Sequence, residues 1–291
     1  MPWHAHLELS YRVEQQRCVA RYRHDGPLRI LQSLYPEGER ICHNVLVHPP
    51  GGLVGGDTLD LQIEVGEGAH GLVTTPGAAR FYRSEGALAL QHTRISLAAG
   101  ARFEWLPLEA LCYSGCLAEN RVTLDLADGA ELIGWDITGL GLPHADQPFV
   151  QGHLQQHLSW SGHWLERGRI AANDLALMNG PTGLAGRRCV ATLFLLGKGT
   201  LDRSRRELAL DAAREAMAAC HGAPGGEHHD RVEPTLQPLA AGATAVNDQV
   251  VVVRVLSPVV EPAMQLLRSI RAAWRVQLWG LDPTAPRIWS M

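Results

Sequence analysis

The sequence predicts a mainly β protein: β-helix-like stacked strands with two α-helices in the C-terminal part. Three observations carry that expectation. Apolar and polar residues alternate with period two along most of the chain, a Gly-Ala turn recurs at near-constant spacing, and only two segments have the spacing of a good helix.

The alternation begins near the amino end, where Leu7, Leu9, Tyr11 and Val13 are interleaved with Glu8, Ser10 and Arg12. It returns at Leu59, Leu61, Ile63 and Val65, and again at Val122, Leu124 and Leu126. Successive side chains of an extended backbone point to opposite sides, so each run reads as a strand with one buried face. Between such runs, Val65-Gly66-Glu67-Gly68-Ala69, Leu97-Ala98-Ala99-Gly100-Ala101 and Leu126-Ala127-Asp128-Gly129-Ala130 share one form: a strand end, a small or polar turn, Gly-Ala, then a new apolar run. The glycines at 68, 100 and 129 give a period of roughly 30 residues, within the range of stacked repeat units. Leu-Ala-Ala-Gly-Ala at 239–243 is taken as a further copy.

The first helix is expected over 202–221, with Leu208, Ala212, Ala216 and Ala219 on one face and Gly222 as its stop. The second is expected over 258–275, with Glu261-Pro262 near its start and Leu266, Leu267, Ile270 and Trp274 as its apolar face. The Gly- and His-rich stretch 222–230 reads as a flexible loop. No shift in composition marks a boundary, so residues 1–291 are expected to form one domain.

Composition excludes several classes. Of 291 residues, 46% are hydrophobic and 19% charged, which is not the make-up of a disordered chain. A net charge of −4 does not suit a nucleic-acid binder. No apolar run approaches the ~18 residues of a membrane span. The stretch Met1–Cys18 carries Glu8, Arg12 and Glu14 and lacks the apolar core of a signal peptide. A cytoplasmic location with six cysteines as thiols is therefore expected. Low charge and eight tryptophans, with Trp274, Trp279 and Trp289 in the tail, predict exposed apolar patches on the isolated chain.

Few motifs carry chemistry. From Gly51 the chain follows a phosphate-loop template to Gly56 and Thr58, but Asp57 stands where the template needs Lys, and the loop leads into a strand rather than a helix. Arg80-Phe81-Tyr82-Arg83 reads equally as a partner surface or an ordinary strand. Cys112 and Cys116 lack zinc spacing. His153 and His157, on a strand, stand ~13 Å apart, too far to share a metal. His228-His229-Asp230, near His221 and Glu227, offers an adventitious metal site in a loop, beside the plainer reading of a solvated loop. No Gly-x-Ser-x-Gly elbow is present. The residues alone present no recognisable active site.

Five strings resemble the UreD (UreH) family of urease accessory proteins: HPPGGLVGGD at 48–57, TTPGAARFYRS at 74–84, EWLPLEALCYSG at 104–115, GWDITGLGLP at 134–143 and RVQLWGLDPTAPRIW at 275–289. They occur in the family's order and span nearly the whole chain. The resemblance implies a non-catalytic scaffold with no tightly bound cofactor. Such a scaffold binds UreF, which recruits the GTPase UreG, and the assembly docks on the urease apoprotein. Nickel would then pass in transit through an internal tunnel. A conduit for Ni(II), which accepts imidazole, carboxylate and water, needs a few carboxylates along a wet path. The candidates are Asp136, Glu166 and Asp57; for each the competing reading is a structural carboxylate or a salt bridge, with Arg167 or Arg169 the expected partner of Glu166. Two alternatives remain at this point: a metal-dependent hydrolase using Asp57, Asp136 and a histidine, and a metallochaperone using the His-rich loop.

Overall fold

The computed structural model describes residues 2–222 and 238–290, the side chains of His221 and Gly222 excepted. The chain opens with β1 (His4–Glu14), β2 (Arg17–Asp25), β3 (Arg29–Leu34) and β4 (Ile41–Val47). It then winds through repeated coils. The first is β5 (Thr58–Val65), β6 (His70–Thr74) and β7 (Ala79–Phe81); the second is β8 (Ala89–Leu97), β9 (Arg102–Leu106) and β10 (Ala110–Cys112). The third is β11 (Cys116–Leu126) and the long β12 (Glu131–Leu142), followed by the short β13 (Gln147–Pro148). A fourth begins with β14 (Gly152–Trp160), which turns back as β15 (Trp164–Ala171).

One sheet has seven strands in the order β15-β14-β11-β8-β5-β1-β2, and its β1, β5, β8, β11 and β14 run parallel. The facing sheet holds β4, β6, β9 and β12 in parallel and is continued by β16 (Cys189–Gly197), after the short helix α1 (Leu175–Asn179). The strands β7 and β10 form a narrow third face against the end of β12. This is the expected solenoid, and the Gly-Ala turns build its corner. Gly68, Gly100 and Gly129 take φ of 63°, 64° and 78°, a left-handed conformation cheap only for glycine. They stack: the Gly68 N–H donates to Ala99 O at 3.2 Å and the Gly100 N–H to Asp128 O at 3.3 Å. Each following alanine, Ala69, Ala101 and Ala130, points into the core. The fourth copy at 239–243 is different. It falls almost wholly in an edge strand, because the chain there pairs antiparallel with its successor instead of climbing to another coil.

The remaining elements are α2 (Arg203–Gly222), β17 (Ala240–Ala245), β18 (Val250–Ser257) and α3 (Val260–Trp279), with β18 and β17 extending the second sheet. Both predicted helices are present; the short α1, capped by Asp174, was not expected. The side chain of Asp202 accepts the Arg205 N–H at 2.8 Å and starts α2. Its buried face is Ala209, Ala212, Ala213 and Met217, while Leu208 is exposed, so the true stripe is rotated from the expected one. The second helix buries Leu266, Leu267, Ile270 and Trp274 as expected, but continues to Trp279 and stops at left-handed Gly280. No helix among the described residues is long and apolar enough to cross a membrane.

Two cores result. One fills the solenoid between the sheets; the other lies between the second sheet and the helices α2 and α3. The tail tryptophans belong to this second layer rather than to solvent. Trp274 is fully buried and donates to Ala209 O at 2.8 Å, Trp279 is buried, and Trp289 stacks on Trp135 with ring centroids 5.3 Å apart. Within the same layer Glu104 of β9 joins Arg271 at 2.6 Å and also Arg275, all three buried. Arg275 reaches Glu37 as well, which His43 contacts at 2.8 Å. Burial opposes ionisation of Glu104, but Arg271, His70 at 3.5 Å, and Arg275 overcome it and hold its pKa at about 2.

Candidate functional site

The loop 48–57 and the segment 74–84 lie against each other. The Arg80 side chain donates to Gly51 O at 3.4 Å, and the Leu53 N–H donates to Arg80 O at 2.7 Å. Phe81 is buried, Arg80 and Tyr82 are half-buried and Arg83 is exposed, so only part of the four-residue string reaches the surface. Asp57 is buried and anchors the loop: its carboxylate accepts the Trp3 N–H at 3.2 Å and the Val54 N–H at 3.0 Å. A carboxylate used this way is an end-stop for the turn, and it lines neither of the cavities described next.

The first cavity, about 280 Å³, lies inside the solenoid and is lined by residues from both loops, among them His48, Gly51, Thr75 and Arg80, and by Gln91, Asn120 and Asp136. Nε2 of His48 is buried without a partner. Burial lowers the pKa of His48, against the pull of Asp57, so the imidazole is neutral at pH 7. A second cavity, about 240 Å³, is lined by Asp136, Gln156, Glu166 and Thr192. Asp136 therefore stands in the wall common to both.

The strand pattern explains this placement. On β12 Trp135 faces the helical layer, so Asp136 faces the solenoid interior. There its carboxylate accepts the Asn120 Nδ2–H at 2.5 Å, the Thr138 hydroxyl at 3.4 Å, and a hydrogen bond from Gln156. Its remaining accessible surface opens on the cavities, and protein surrounds it. Desolvation lifts its pKa to about 6; the three hydrogen bonds counter this and the nearby Glu166 adds to it.

Glu166 lies across the interior on β15. It pairs with Arg254 of β18 at 2.7 Å and accepts the Thr192 hydroxyl at 3.2 Å. The expected partners Arg167 and Arg169 are odd positions on the same strand, so they point to the other face. Asp136 and Glu166 thus share a cavity and Asp57 is apart, which removes the grouping a hydrolase would need. The residues 223–230, with His228, His229 and Asp230, lie outside the described residues. Among the described residues no three His, Cys, Asp or Glu side chains converge as a metal site. All six cysteines are unpaired; Cys112 and Cys116 are buried and hydrogen-bonded to each other.

The model of the UreD urease accessory protein family matches residues 4–290. The chain belongs to that family. Its relatives agree over full length: the urease accessory protein UreD of Variovorax paradoxus (strain S110) is 61% identical over 290 residues, covering 100% of both chains. The UreD of Polaromonas naphthalenivorans (strain CJ2) is 60% identical with the same coverage, and that of Leptothrix cholodnii (strain ATCC 51168 / LMG 8142 / SP-6) is 48% identical over 99% of each. As a UreD-family protein the chain serves urease maturation and is an accessory factor, not a catalyst.

In this UreD-family chain the motif strings acquire positions. Two form the loops beside the first cavity, one carries Glu104 and one carries Asp136. His48 opens the first motif string without being given a role there, and inspection of motifs passes over Asn120 and Gln156. A signal for the latter two exists: the even-numbered inward runs Val122, Leu124, Leu126 and Leu154, Leu158, Trp160 include Asn120 and Gln156, polar side chains at core positions.

Proposed function

We propose that this protein is a cytoplasmic scaffold that bridges apo-urease to UreF- and UreG-type accessory proteins and conducts nickel through the solenoid toward the urease active site. The observation that carries the reading is the pair of cavities on either side of Asp136, with Glu166 lining the second. A divalent ion cannot cross an unlined apolar core, since desolvation costs several kcal/mol per ion even after relaxation. A polar wall on both sides of a buried carboxylate lowers that cost. Neutral His48 beside the first cavity adds a nitrogen donor suited to Ni(II). The six free thiols fit a reducing compartment.

The test is reconstitution. The chain is co-purified with UreF-type, UreG-type and apo-urease proteins, and urease activation is followed against nickel concentration. Asp136→Asn is expected to leave the complex intact and slow activation, with partial recovery in excess nickel. Glu166→Ala is expected to act in the same sense with little loss of stability, because Arg254 is half-exposed and such pairs contribute about 0–1 kcal/mol. Normal activation by both variants, or loss of activation matched by loss of complex, would remove the conduit from the mechanism.

A further inference from the structure

One inward row of the first sheet is a file of amides, whereas the row beside it holds Leu61, Thr93, Val122 and Leu158. Gln91 of β8, Asn120 of β11 and Gln156 of β14 are in register on neighbouring parallel strands, so three amides stand in file along the axis. The row continues into Leu59 on one side and Gly168 on the other. Gln91 and Asn120 line the first cavity and Gln156 lines the second.

Amide files in stacked β structures ordinarily hold themselves together, each N–H donating to the next carbonyl. Asn120 and Gln156 do not. Both give their N–H groups to the Asp136 carboxylate. A carboxylate accepts and cannot donate, so this interaction sets which way each amide faces. The carbonyl oxygens, Asn120 Oδ1 and Gln156 Oε1, are left buried without any partner. A buried acceptor without a partner is costly, and here two occur side by side around one carboxylate. An arrangement that leaves two acceptors unused next to a buried negative charge is matched to a cation. Neither oxygen is exposed in this structure. Contact therefore takes a rotation about the last side-chain torsion, which is broad for Asn and Gln.

We propose that Asn120 and Gln156 are transfer ligands: their carbonyl oxygens take a divalent ion on opposite sides of Asp136 and pass it from one cavity to the other. Asp136 has a double part, as the central anion and as the group that orients both amides. This rests on the conduit reading above and names the side chains that would carry it.

The experiment uses crystals of the full chain soaked in nickel chloride, with anomalous data collected at the nickel edge, beside activation of apo-urease at limiting nickel. The unsubstituted protein should show an ion on each side of Asp136. Asn120→Leu should lose the ion in the first cavity and keep the second; Gln156→Leu should do the reverse. Both should slow activation on the order of tenfold, as loss of a supporting group at a metal site does. Asn120→Asp and Gln156→Glu keep an oxygen at each position and should retain or strengthen the peaks, which decides the matter where a leucine variant does not fold. Ions that persist unchanged in both leucine variants, or loss of the ion in the carboxylate variants, would overturn the transfer role and leave the conduit standing. No ion in either cavity of the unsubstituted protein, with normal activation by Asp136→Asn, would overturn both.

Discussion

A carboxylate at position 136 is opposed by desolvation, and the fold carries the cost. Its pKa of about 6 against an ordinary 3.8 means that the folded protein holds the proton more tightly than the unfolded chain. The sign of the linkage follows: the penalty is absent below about pH 3.8, grows as pH rises through that interval, and is complete above about 6. Two pKa units correspond to up to about 3 kcal/mol, reduced by whatever water the cavities hold. Asp136→Asn is therefore expected to stabilise the protein at pH 7.5 and to leave it unchanged near pH 3.5. Thermal unfolding at the two pH values checks this; a variant destabilised at both would mean that the carboxylate is structural. A residue retained against stability is what a functional site predicts. Asp57 is the contrast, since its carboxylate is occupied by the backbone N–H groups of Trp3 and Val54.

At the scale of elements, the helix α3 is attached to the second sheet by charge as well as by apolar contact. Glu104 faces Arg271 and Arg275 with no exposure of any of the three beyond 1%. Removing one partner leaves buried charge uncompensated, which costs about 3–5 kcal/mol. Glu104→Gln is expected to lose that much in urea unfolding. Its pH dependence has the opposite sign to that of Asp136. A folded pKa held at about 2, below the usual 4.5, gives stability that is fully present above 4.5 and is lost as pH falls toward 2. The unsubstituted protein should lose stability across that interval and the Gln variant should show a flatter profile. Equal slopes would show that other carboxylates dominate acid unfolding. The helices themselves were readable from spacing, yet the rotation of α2, with Leu208 out and Ala209 in, was not. That choice depends on the surface of β17 and β18 and on α3 packed beside it.

For the whole molecule, the axis of the solenoid sets where cargo can travel. Movement of nickel between the two cavities uses the side chains that line them and calls on no ligand from residues 223–230. Deleting those residues is expected to leave activation of apo-urease at limiting nickel unchanged. A large loss, together with loss of nickel binding by the chain, would favour the metallochaperone reading instead.

Local patterns carried much of this protein. Period-two alternation and the recurrent Gly-Ala turn determine a stacked β body, because side-chain direction along a strand and the left-handed angle of Gly68, Gly100 and Gly129 are properties of a few consecutive residues. The five motif strings likewise point to the UreD family, and the carboxylates Asp136 and Glu166 can be singled out by inspection. The same turn-like string at 239–243 shows the limit, for there the available neighbour made it an edge strand. Tertiary structure alone decided which side chains meet across the interior. Glu166 finds Arg254 from 88 positions away, and Asp136 of one sheet meets Asn120 and Gln156 of the other. Such meetings depend on the register between coils and on the two sheets facing each other, and no spacing within a single strand contains that information.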